Sequence, residues 1–304
     1  EYKTIKGFKT QSYATDPVPG VAAWASGGNL TTARSGVASA GIQTAALCIG
    51  GAVPPVKALT EEYDGSSWTE VADLNTARYN FAGMGITTAA LVGAGDATKT
   101  ECEQFNGTCW SEKADINTGR NAVGAAGTTA AGILFGGTPG GKTETEKWDG
   151  SAWTEVNNLN TGRNSCPGVG IVTAALCVGG SEPGYTAVVE EYDGTSWSEG
   201  ADLNTARGAL ATSQAGTVTA AIGAGGYSTG ITGITESYNG TSWTEVADLA
   251  TARYTFGGAG TQNLALVFGG LSAPLTTATE EWTDYTSDTT QNFLNEGQIW
   301  YNTT

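Results

Sequence analysis

The sequence contains no histidine, a single methionine, and only 14 basic residues against 30 acidic ones in a chain of 304. Without an imidazole there is no Ser-His-Asp triad, no Cys-His dyad and no histidine metal site. The formal net charge of −16 argues against a nucleic-acid or anionic-membrane partner, because both need a basic footprint. No apolar run approaches the roughly 18 residues of a membrane-spanning helix, so membrane insertion is not expected. No signal peptide is read at the start, and Glu1 in place of Met gives the expectation that earlier sequence was removed. No position combines a nucleophile, a base and an orienting partner, so the chain reads as no enzyme, with no cofactor and no metal. What is abundant is glycine, 45 residues, beside much alanine. That composition suits thin, closely packed sheet layers.

Five cysteines leave at least one thiol unpaired within the chain. Cys48 and Cys177 sit in the apolar runs AALCIGG and AALCVGG and read as small core residues. Cys102 and Cys109 flank a predicted tight turn. In an oxidising compartment, and given the right strand register, they would form a hairpin bridge.

Self-comparison decides the fold. Trp recurs at Trp24, Trp68, Trp110, Trp153, Trp197 and Trp243, at intervals of 42 to 46. Arg34, Arg78, Arg120, Arg163, Arg207 and Arg253 follow at the same intervals, and these are all the arginines of the chain. A glycine pair or near-pair comes next, as at Gly50-Gly51 and Gly179-Gly180. Then comes Glu-x-aromatic, with the acids at Glu61, Glu103, Glu146, Glu190, Glu236 and Glu280. Each unit divides into four short stretches with strand patterning, the last two joined by Asp-Gly or Asn-Gly hairpin turns. No stretch shows the helical period, which excludes a helical solenoid. Four strands per unit at this spacing predict the blades of an all-β, six-bladed β-propeller with antiparallel blades. The segment AAWASGGNL around Trp24 matches the fourth stretch of a unit, and the last unit lacks one of its own. The strand near Trp24 is therefore predicted to complete the last blade and close the ring. The propeller is expected over 21–285, with attachment segments at 1–20 and 286–304.

The glycine pair closing the second strand, an aromatic about 12 residues later and a Trp about five further resemble the kelch motif. The resemblance implies a propeller and says nothing of activity. Copper chemistry of the galactose-oxidase type is not carried over, because its histidine ligands are missing. A narrower likeness lies in the wording of the repeats, DGSSWTEVADLNTAR at 64–78 and NGTSWTEVADLATAR at 239–253, with TAALxxGG between copies. This is similar to kelch-like proteins encoded by marine tailed bacteriophages. The flanks, YKTIKGFKTQSYATDPVPG and EGQIWYNTT, look like linker modules of such virion proteins, and further sequence is expected after Thr304.

The likeness implies a structural or receptor-facing virion protein: extracellular, bound to other virion proteins through its termini, and presenting the propeller to a host-surface glycan or protein. The alternative is a secreted, lectin-like carbohydrate-binding propeller. The sequons at Asn29, Asn106, Asn239 and Asn302 would then be open to glycosylation. An intracellular adaptor is a weaker third reading.

The repeated residues have plain structural roles open to them. The six Arg and six Glu suggest one Arg–carboxylate pair per blade, since the guanidinium fork matches a carboxylate. A ring of guanidinium groups holding an anion in the central channel is the functional alternative. The six Trp suggest inter-blade packing rather than sugar stacking. Asp73, Asp115, Asp202 and Asp248 read as turn caps rather than Ca²⁺ ligands. Recognition is expected where the units differ, in the loops after the glycine pairs, which all open onto one face. Tyr185 and Tyr227 are the aromatics there and are the candidate contact residues.

Overall fold

Each turn-bounded unit of the sequence becomes one four-stranded antiparallel sheet, and there are six such sheets. They are seen in a computed structural model that describes residues 22–284. The predicted attachment segments 1–20 and 286–304 lie outside the described residues. Blade 1 runs Ala38–Ile42, Ala45–Ile49, Thr60–Tyr63 and Trp68–Val71, from the axis outward. Its innermost strand packs between those of blade 2, Ala82–Ile86, and blade 6, Gly257–Gly260, so the sheets form a closed ring. The fold is a six-bladed β-propeller.

Closure uses both ends of the described chain. Ala23–Ser26 pairs with Thr279–Thr283 as the outer strand of blade 6, with Trp24 opposite Trp282. The two indoles sit 5.5 Å apart between ring centroids. The earliest strand thus covers the edge that the last unit would otherwise expose.

Two circuits of backbone hydrogen bonds run round the ring. In the first, the amide at the second position of each glycine pair donates to the carbonyl of the next blade's Arg. Gly51 donates to Arg78 and so on round to Gly270 with Arg34, at 2.8–3.0 Å. A left-handed residue just before it makes this approach possible, glycine in five blades and Ala94 (φ +71°) in blade 2. Gly50 has φ +59°, and a Cβ there would lie 2.7 Å from the Arg78 carbonyl oxygen. The second circuit lies at the axis. Gly36, Asn80, Ala122, Ser165, Ala209 and Thr255 each donate an N–H to the preceding member's C=O, at 2.7–2.9 Å. All six have φ between 53° and 61°, the left-handed region, and five of them are not glycine. The first residues after each Arg make this crossing, and the inner strand starts about three residues later.

The core is distributed between blades. Six clusters of buried residues each draw on two neighbouring sheets, as where Leu47 and Ile49 of blade 1 meet Val92 and Phe105 of blade 2. The Cys102–Cys109 bridge is absent, and both thiols are free. Register is the reason. Cys102 pairs with Lys113 and Phe105 with Trp110, which leaves Cys109 exposed at the turn while Cys102 is buried.

Candidate functional site

All six guanidinium groups are fully buried, and each faces the Glu of its own blade. Arg34 Nη2 lies 2.9 Å from Glu61 Oε1, Arg78 2.7 Å from Glu103, Arg120 2.9 Å from Glu146, and Arg207 2.6 Å from Glu236. Arg253 pairs with Glu280 and Arg163 with Glu190. The same Arg reaches carbonyls at the bend after the second strand. Arg34 donates to Cys48, Gly50 and Leu59, and Arg253 to Gly269 and Ala278. Each carboxylate also collects amides from the segment arriving from the previous blade, as Glu103 does from Asn75 and Thr76. One ion pair therefore fixes a blade's bend and its tie to its neighbour. Burial pulls Arg120, Arg207 and Arg253 below the usual guanidinium value, against the raising effect of the paired carboxylates. None of the six Arg lines an axial cavity, so the anion-ring arrangement does not arise.

Blade 4 departs from this pattern. Arg163 Nη1 is 3.0 Å from Glu190 Oε1, but neither Nη1 nor Nη2 has an aligned hydrogen bond. Its Nε instead donates to Cys177 Sγ at 3.3 Å. Cys166 and Cys177 are both fully buried and in contact. Burial alone would raise the Cys177 thiol. The hydrogen bond from Cys166 and the charge of Arg163 outweigh it and hold the thiol below its ordinary value. Cys166 is pushed well up by the hydrogen bond to Cys177 and by burial. No local sequence signal announces this pair, because the two thiols come from different stretches of the unit.

The repeated Trp side chains reach back to the preceding blade. Trp68 Nε1 donates to Thr279 Oγ1, Trp197 to Thr145 Oγ1 and Trp24 to Thr235 Oγ1. Trp110 and Trp243 donate to the carbonyls of Ala72 and Ala201. Trp153 lies in the cluster shared by blades 2 and 3. Asp73, Asp202 and Asp248 accept from the first amides of third strands, at Thr60, Val189 and Thr235, and Asp115 accepts from the Thr100 hydroxyl. Among the described residues no group of three His, Cys, Asp or Glu side chains is placed to hold a metal.

Among the described residues, cavities of about 110 Å³ and 210 Å³ lie at the axis. Gln214 borders both. Blade 5's inner strand is cut to Ala211–Thr212 because Ser213 to Gly216 turn inward there. Gln214 Nε2 then donates across the ring to the Gly83 carbonyl of blade 2, at 3.1 Å. The sequence signal for this was the longest repeat interval, 46 residues between Trp197 and Trp243.

The variable loops share one face with the inner circuit, because isolated bridges pair five of the six loops with the residue following the Arg, and in blade 2 the Asp96 amide donates to the Tyr79 carbonyl. Examples are Ser35 with Ala52, Gly208 with Tyr227, and Tyr254 with Leu271. On that face Tyr185 and Tyr227 meet, with centroids 5.5 Å apart and planes inclined at 41°. Tyr254, which is not among the residues the sequence singles out, continues the row at 5.3 Å from Tyr227 and 64°. Its signal was its place directly after Arg253, where blade 2 has Tyr79 after Arg78. Tyr185 is 42% exposed. What burial it has, with Tyr227 and Tyr254 alongside, raises its phenol above the ordinary value. The loops are pinned from below. Tyr227 exchanges both backbone hydrogen bonds with Gly208, at 2.9 and 3.0 Å, and Tyr254 both with Leu271, at 3.2 and 3.0 Å.

No protein-family model matches the chain, and no curated protein matches it. Among solved structures, one described as "Structure of YjhT" is similar, with a TM-score of 0.68 at 13% identity, over 83% of this chain and 95% of that one. A likeness at that identity carries the fold, a six-bladed ring, and nothing finer. It also corrects one expectation, that the chain is no enzyme, which rests on the lack of a recognisable catalytic set in the sequence. A ring shared with a protein so distant in sequence does not exclude enzymatic activity, so that expectation is withdrawn.

Proposed function

We propose that this chain is a binding and structural component of a tailed-bacteriophage virion, a kelch-like propeller that turns its loop face toward a partner. The propeller fold is consistent with a binding or structural role. One observation carries the proposal: the interior repeats six times, whereas the loops of a single face differ and bring Tyr185, Tyr227 and Tyr254 together on pinned backbone. Variable loops on a rigid scaffold are the usual place for recognition. The repeat wording at 64–78 and 239–253 supports the virion assignment, and the acidic, lysine-poor composition suits a particle in salty water, where screening weakens self-repulsion. The attachment segments would contact neighbouring virion proteins.

An antibody raised against the propeller tests this on purified particles by immunogold electron microscopy. Label at a fixed position on the virion is expected. Label confined to particle-free material would overturn the proposal. The tyrosine row favours one second reading, a secreted carbohydrate-binding propeller. The added hexose mass of a glycosylated, secreted product would support that reading instead.

A further inference from the structure

We infer that Tyr185, Tyr227 and Tyr254 form a stacking site for an uncharged hexopyranose glycan. The inference rests on the loop-face reading above and names its ligand class.

The three phenols stand in a row with neighbouring centroids 5.3–5.5 Å apart, but their planes are inclined at 41° and 64°. A flat fused aromatic ligand needs parallel faces. A chain of puckered sugar rings, each turned relative to the last, meets inclined faces in succession. The apolar faces of such rings suit aromatic surface, while their rims need hydrogen-bonding groups.

The hydroxyls of the row differ from those of the other packed tyrosines. Tyr63 and Tyr238, packed between blades, commit theirs to Glu281 and Glu191. Among the described residues, the hydroxyls of Tyr185, Tyr227 and Tyr254 make no hydrogen bond to the protein. A phenolic hydroxyl without a protein partner can both donate to and accept from a sugar hydroxyl. The neighbouring Ser228 and Thr229 add further hydroxyls.

The segments 227–231 and 271–275 carry no charged residue, and 181–185 carries only Glu182. Glu182 leans toward blade 3, where a Cβ on Gly141 would lie 2.1 Å from its Cγ. With no Lys or Arg in these segments, sialylated, sulfated or uronic-acid ligands have no counter-charge here, and the chain's net charge of −16 repels them. Anchored backbone beneath Tyr227 and Tyr254 also lowers the ordering cost of binding.

The test uses the full chain on an array of uncharged glucans, galactans and mannans, with sialylated and sulfated glycans alongside. Wild type is expected to hold at least one uncharged glycan and none of the anionic ones. Tyr227→Ala should weaken that binding by about tenfold or more, as befits loss of the central ring, while Tyr227→Phe, which keeps the ring and loses one hydroxyl, should weaken it less. The urea midpoint of both variants should match wild type, which separates lost contact from lost fold. Retention of no uncharged glycan by wild type, or equal binding by Tyr227→Ala, overturns the inference. Particle labelling by the antibody would be untouched by that failure, so the virion proposal falls or stands separately.

Discussion

Blades 1 and 4 carry the same sequence markers and bond them differently. In blade 1, Arg34 serves a carboxylate and three carbonyls. In blade 4, Arg163 keeps its ion-pair distance to Glu190 but turns its Nε onto a thiol and leaves both Nη atoms without aligned acceptors. The cause lies in two neighbours. Where blade 4 has Cys166, blade 1 has Val37, so only blade 4 sets two thiols beside its guanidinium. Identical markers therefore specify the same fold without specifying equal energies.

The largest expected effect comes from removing the blade 1 guanidinium. Arg34→Met strands the buried Glu61 carboxylate and three carbonyls, and should cost about 3–5 kcal/mol in urea unfolding. Arg163→Met strands a carboxylate but no carbonyl, and should cost less by about 1–2 kcal/mol. Equal losses would break the comparison.

Alkaline pH sharpens it. Burial pushes the Cys48 and Cys102 thiols from 9.0 to about 12. The folded state thus holds protons that the unfolded chain releases. Their contribution is complete below pH 9 and is lost as pH rises toward 12, at about 1.4 kcal/mol per pH unit for each thiol. Cys48→Ala should remove one thiol's share of that slope. Cys177 has the opposite sign, because its folded value is lowered. Its contribution is present above the unfolded value and declines as pH falls through the folded one.

Smaller effects are expected at the axial circuit. Ala209→Gly relieves a left-handed alanine and should raise stability by about 1 kcal/mol. Gly36→Ala should lower it by a similar or larger amount, since the new Cβ would lie 2.6 Å from Asn80 Oδ1. Thermal unfolding of the two variants should shift in opposite directions. Least of all, Cys109→Ser at an exposed turn should change stability by less than about 0.5 kcal/mol.

The ring was legible in the sequence because its signals are repeated in phase: Trp, Arg, glycine pair, Glu, aromatic. Six copies also made the closing strand readable, since AAWASGGNL is the one fourth stretch without a unit of its own. What escaped was set by three-dimensional register or by a single blade. Cys102 and Cys109 are close in sequence but not opposite in the ladder. Cys166 stands two residues before the inner strand of blade 4 and meets Cys177 in the strand beside it. Gln214 enters the axis because one unit is longer, and Tyr254 joins the tyrosine row only when blades 5 and 6 sit side by side. The left-handed axial residues gave no composition signal, since Asn, Ala, Ser and Thr all occupy the position.

Native-state hydrogen exchange tests the closed ring most directly. The amides of Gly36, Asn80, Ala122, Ser165, Ala209 and Thr255 link every blade to the next. If the ring opens only as a whole, all six exchange with one common free energy, equal to that of global unfolding. Faster exchange at Gly36 and Thr255, on either side of the junction where the two chain ends meet, would contradict it.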